Sequence, residues 1–153
     1  MKTSTKKLWK KIALGSVVVL ALLQLVRGKH ENPPVYDDIR VSQDVSAVLR
    51  RACYDCHSNE TTWPWYSQVA PVSWLVQRDV VKGRAELNFS AWEAMPADKR
   101  AKKQAKIAKE VRDGEMPLWF YTPLHPHAAL TEGDKRLLES WSQGGGEPNA
   151  KAD

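Results

Sequence analysis

Cys53-Tyr54-Asp55-Cys56-His57 is the stretch on which the reading of this chain turns. A C-x-x-C-H run is the attachment signature for a c-type haem. Two intervening residues set both sulfurs on one side of a tight turn, within reach of neighbouring substituents of one porphyrin. The next residue, His57, then projects under the ring centre as an iron ligand. Two other uses of such a cysteine pair compete with this one. A structural zinc site needs two more ligands, and His125 and His127 are one residue apart, not the usual three to five. A thioredoxin-like pair expects a βαβ setting, and the pattern here offers no strand.

The totals bound the rest. A chain of 153 residues fits one small domain with extensions. Its formal charge of +5 belongs to the leader. Residues 1–30 hold seven of the 23 Lys and Arg and no acid, so residues 31–153 carry 16 basic against 18 acidic groups. That balance excludes a nucleic-acid partner. Cys53 and Cys56 are the only cysteines, so no disulfide framework holds the fold. Six of the seven Trp lie beyond the leader, where wide flat side chains suit either the walls of a flat cofactor or a small core.

Outward from the motif, the periodicity predicts an all-α chain without internal repeats. Residues 2–11 carry five Lys, followed by the apolar run 12–26. Fifteen residues span about 22 Å, and counting from Leu8 gives 19 residues and about 28 Å, against a hydrocarbon layer of roughly 30 Å. No A-x-A-like cleavage site follows, so residues 1–29 are expected to be an uncleaved signal anchor, with the lysines in the cytoplasm and the remainder outside. Residues 30–41, with Pro33 and Pro34, read as an extended linker.

Residues 42–143 are expected to be the haem-binding domain. Ser42 or Asp44 caps a first helix whose Val45, Val48, Leu49 and Ala52 share a face. Pro71 opens a second, running to about Lys82 and stopped by Gly83. A third runs from Ala97 to Arg112, ended by Gly114, with a stripe of Ala101, Ala105, Ala108 and Val111 beside Ile107. Thr131 caps the last, in which Leu137, Leu138 and Trp141 share a face. Residues 144–153 are expected to be a flexible tail.

The face of the iron opposite His57 needs a ligand or stays open. Met116, in an irregular loop between two helices, is placed ahead of Met95, His125 and an open site; thioether ligation suits electron transfer. Trp63, Trp65, Trp74 and Trp119 are candidate pocket walls. Tyr66, Arg84 and Asn88 are candidate donors to the haem propionates.

These residues carry a family resemblance. The order of helix, C-x-x-C-H, Met-Pro loop and closing helix resembles a single-haem cytochrome c. More narrowly, Cys53-Tyr54-Asp55-Cys56-His57-Ser58-Asn59, Trp63-Pro64-Trp65-Tyr66-Ser67, Ala70-Pro71-Val72-Ser73-Trp74, Gly83-Arg84, Glu115-Met116-Pro117, Tyr121 and His125 resemble the bacterial haem-binding domain family, which is typically membrane-anchored. The resemblance implies one covalent haem c with its iron, Cys53 and Cys56 as attachment points, His57 as ligand, and Met116 at the family's Met-Pro position.

The function expected is a one-electron carrier at the periplasmic face of the cytoplasmic membrane, serving other redox proteins of membrane or periplasm, with no catalytic residues. The alternative is a peroxidase-like haem enzyme or small-gas sensor, either of which requires an exchangeable sixth position.

Overall fold

The computed structural model describes residues 2–26 and 28–144. Among them there is no strand, as the periodicity predicts. Six α-helices follow in order: α1 Lys2–Leu23, α2 Gln43–Ala52, α3 Tyr54–His57, α4 Val72–Glu86, α5 Ala97–Arg112 and α6 Glu132–Ser142. Short 3₁₀ turns occupy Trp65–Gln68, Phe89–Ala91 and Pro126–Ala128. The expected tail, apart from Gly144, lies outside the described residues.

The chain divides into two compact units, residues 1–31 with 63–79, and residues 32–62 with 80–153. In the first, five lysines occupy the opening ten positions of α1, leaving residues 12–23 as its apolar part. Twelve residues reach about 18 Å. Among the described residues no helix is long and apolar enough to cross a membrane, so the expected transmembrane segment finds no support in α1. The run fails because the helix stops at Leu23 and the lysines claim its first half. Leu14, Val17, Val18, Leu20 and Leu22 are nevertheless exposed. Gln24, a polar residue within the apolar run, is fully used: its Nε2 donates to Leu20 O (2.8 Å) and Ala70 O (3.1 Å), and its Oε1 accepts from Ala70 N (2.9 Å). Trp74 Nε1 donates to Val26 O at 2.9 Å, and the rings of His30 and Trp63 meet edge-on at 4.5 Å.

The second unit holds the main core. Val45, Val48 and Leu49 of α2 are buried as expected, along with Ile107, Ala108 and Val111 of α5 and Leu138 and Trp141 of α6. Ala101 and Ala105, expected in the stripe of α5, are exposed. An alanine buries too little area for its spacing alone to fix a face. Tyr54, Phe89, Trp92 and Trp141 form a continuous row of rings, with successive centroids 5.3, 5.8 and 6.0 Å apart. Aromatic packing here fills a core, while Trp65 and Trp119 are 80% and 81% exposed.

Three local features differ from, or sharpen, the sequence reading. Thr131 caps α6 with a full capping box, its hydroxyl accepting from Asp134 N while Asp134 accepts from Thr131 N. Gly83 does not stop α4, which continues to Glu86. The expected linker is stitched into the second unit: Tyr36 N and Asp37 N donate to Ser90 O, and Ile39 N to Phe89 O.

Candidate functional site

α2 runs without a long connection into the motif. Cys53 interrupts the helix at φ −124° and ψ −33°, and α3 restarts at once, with His57 N donating to Cys53 O at 2.9 Å. The tight turn expected from the spacing is therefore a single helical turn carrying both thiols and the imidazole. Cys53 and Cys56 are not joined to each other in a disulfide. Burial pushes the Cys53 thiol up to about 12, with the neighbouring Cys56 charge adding to it. Since the thiolate is the reactive form, Cys53 of the chain before any cofactor is attached will be alkylated by iodoacetamide at pH 8 about tenfold or more slowly than in the urea-unfolded chain. Equal rates, followed by peptide mass mapping, would contradict this placement.

His57 is oriented by α4. Its Nδ1 lies 2.9 Å from Gly83 O and 3.2 Å from Leu87 O. Both partners are carbonyls and only accept, so Nδ1 carries the proton and Nε2 carries the lone pair. Burial lowers the His57 pKa, against the opposing pull of the Leu87 and Gly83 carbonyls. A neutral imidazole with its far nitrogen fixed by a backbone acceptor is the form that binds metal.

Gly83 also sets how close α4 can come. A Cβ built on it would meet Cys56 O at 2.5 Å and Cys56 C at 3.1 Å. The missing side chain thus lets the α4 backbone press against the motif while its carbonyl holds His57. Nothing in the local sequence distinguishes this glycine from a helix stop.

Polar residues around the motif serve its loop. Arg84 Nε donates to Ser58 O (2.7 Å), and its Nη2 to Thr61 Oγ1 (2.7 Å) and Asn32 Oδ1 (2.9 Å). Asn88 Nδ2 donates to Asn59 Oδ1 at 2.9 Å, while Asn88 Oδ1 accepts from Ser90 N. Ser58 is buried, donating to Tyr54 O at 2.8 Å. Arg84 and Asn88, expected at propionates, are here engaged in fastening residues 58–61 to α4 and to the 88–90 turn. Asp55, not singled out by the sequence reading, accepts from Thr62 N (2.9 Å) and from Tyr121 Oη (2.7 Å). Its partner stands 66 positions away, a separation at which no spacing rule operates.

The remaining candidates separate by environment. Met95 packs against the core, whereas Met116 is 36% exposed on the loop after α5. His125 stacks on Tyr121 with centroids 3.9 Å apart, and its Nδ1 lies 3.1 Å from Tyr121 O. Trp63 and Tyr66 are half-buried and belong to the first unit, while Cys53, Cys56, His57, Arg84 and Met116 belong to the second. Among the described residues no three His, Cys, Asp or Glu side chains gather as a metal site, so the zinc alternative gains no partner set.

Two thiols on one turn and an oriented neutral imidazole can take two thioether bonds and one metal bond from a single ring. No curated protein and no solved structure matches the chain. The model of a family described as a haem-binding domain does match, over residues 17–144, and the chain belongs to that family.

Proposed function

We propose that the chain is a c-type haem protein that carries single electrons at the outer face of the cytoplasmic membrane, with His57 and Met116 as iron ligands. The observation that carries this reading is the Nδ1 contact of His57 with Gly83 O at 2.9 Å, which leaves Nε2 as the donor nitrogen beside two thiols. Haem iron, when bound, supplies a one-electron couple whose potential rises with thioether ligation and burial.

The residues divide the work. Cys53 and Cys56 tether the ring, and His57 binds the metal with its basicity raised by the Gly83 and Leu87 carbonyls. Of Met95 and Met116, Met116 is the one not packed against the core, which supports it for the opposite face. Arg84 is proposed to border the cofactor by holding the loop behind the motif. Exposed apolar side chains along α1, preceded by lysines, support a membrane tether. Redox proteins of the same membrane or compartment are the partners this role requires.

The test is expression of the full chain with a haem-c maturation system. The expected product sediments with membranes, has an intact mass raised by one haem, and shows a low-spin ferric spectrum that resists cyanide. A colourless product would overturn the haem assignment. A high-spin spectrum with rapid cyanide binding would replace the carrier by the enzyme or sensor.

A further inference from the structure

We propose that Asp55 and Tyr121 form a latch that positions the Met116 loop, so that this pair governs how readily the sixth position exchanges. The inference rests on the ligation by Met116 proposed above. Among the described residues, hydrogen bonds fasten the loop between α5 and α6 at its start, its middle and its end. At its start, Glu115 N and Met116 N donate to Glu110 O at 2.9 and 3.2 Å. At its end, Arg51 Nη1 donates to His127 O at 2.8 Å and Ala129 O at 3.0 Å, and Arg51 Nη2 pairs with Asp134 at 2.5 Å. In the middle, Tyr121 Oη donates to Asp55 Oδ2 at 2.7 Å.

The middle fastening differs in kind, because Asp55 lies inside the attachment motif itself. Its carboxylate is held on the other oxygen by Thr62 N, and its main-chain carbonyl accepts from Thr61 Oγ1 at 2.7 Å. Tyr121 is equally fixed: its ring lies on His125 with an interplanar angle of 13°, and its carbonyl accepts from His125 N at 3.1 Å. A phenol donating to a carboxylate makes a charge-assisted bond, stronger than one between neutral groups. The latch therefore ties the loop that carries Met116 to the turn that carries His57. Removing it leaves the fastenings to Glu110 and Arg51 in place, so the fold persists while the middle of the loop is released. Tyr121 and Asp55 are positioning residues acting through Met116.

The experiment compares haem-loaded wild type with Tyr121→Phe, Asp55→Asn and Met116→Ala, reading the methionine-to-iron charge-transfer band and the affinity of the ferric protein for imidazole. Tyr121→Phe keeps the ring on His125 and removes only the hydroxyl. The expected result is unchanged covalent haem by mass, loss of the band in Met116→Ala, and about tenfold tighter imidazole binding in Tyr121→Phe and Asp55→Asn. Combining the two latch variants should add little to either alone, as for residues that share one bond. Wild-type imidazole affinity in Tyr121→Phe, with the band lost in Met116→Ala, overturns the latch and leaves the ligation intact. A band that survives in Met116→Ala overturns the ligation and the latch together. If Asp55→Asn, lying within the motif, fails to mature, Tyr121→Phe decides alone.

Discussion

Gly83→Ala is expected to be the most damaging single-methyl change in this chain. The added Cβ would stand 2.5 Å from Cys56 O, 3.1 Å from Cys56 C and 3.3 Å from Cys56 Cβ. None of these atoms is the far end of a flexible side chain, so relief requires α4 and the motif to separate. Overpacking of this kind costs about 1–3 kcal/mol. The separation also lengthens the bond from His57 Nδ1 to Gly83 O, and loss of such a partner typically weakens metal binding about 10–100-fold. The expected result is a lower denaturation midpoint together with a large fall in the fraction of purified chain that carries haem. Gly133→Ala is the control, since its Cβ would meet Thr131 Oγ1 at an ordinary 3.5 Å. It lies in a helix and should be neutral or stabilising by up to about 1 kcal/mol. If Gly83→Ala unfolds within about 0.5 kcal/mol of wild type and loads haem normally, the close approach of α4 has been misjudged.

Phe89→Ala is expected to be the largest loss of stability. Phe89 is 0% exposed, stacked on Tyr54 at 5.3 Å and packed against Trp92 at 5.8 Å. Tyr54 belongs to the motif helix, and Trp92 leads on to Trp141 of α6. Truncation removes the ring that joins these two groups and leaves a cavity between them. Changes of this type cost about 3–5 kcal/mol, a large part of the roughly 5–15 kcal/mol available to a domain. Equilibrium urea unfolding measures it, with Val35→Ala as the exposed comparison. A loss below about 1 kcal/mol would mean that the row of rings is not the centre of the core.

What the sequence discloses here depends on whether the cause is local. The bounds of α5 follow from Pro96 and Gly114 on either side, and the observed helix is Ala97–Arg112. Gly114 has φ +76°, the left-handed conformation that makes glycine a helix stop. Thr131 and Asp134 announce α6 by the same kind of short-range chemistry. Gly83 has the same identity as Gly114 but a tertiary reason for it, so its local reading as a terminator fails. The motif residues were legible because two thiols and an imidazole at that spacing have few other uses. Asp55 was not, since its partners at positions 62 and 121 are brought to it by the fold. The tryptophans mislead in the opposite direction. Size marks all of them for burial, yet Trp92 and Trp141 are enclosed while Trp65 and Trp119 face outward.

The hydrogen bonds of residues 32–39 bear on where this protein can be cut. Asn32 contacts Thr61 and Arg84, Pro34 O accepts from Asn59, and residues 36, 37 and 39 donate to the carbonyls of Ser90 and Phe89. A fragment begun at residue 42, just ahead of α2, would take the donors from the Thr61, Phe89 and Ser90 carbonyls and the acceptors from Asn59 and Arg84, and uncover the flank of the motif loop. A protease acting ahead of residue 32 would instead sever the leader and leave every one of those bonds whole.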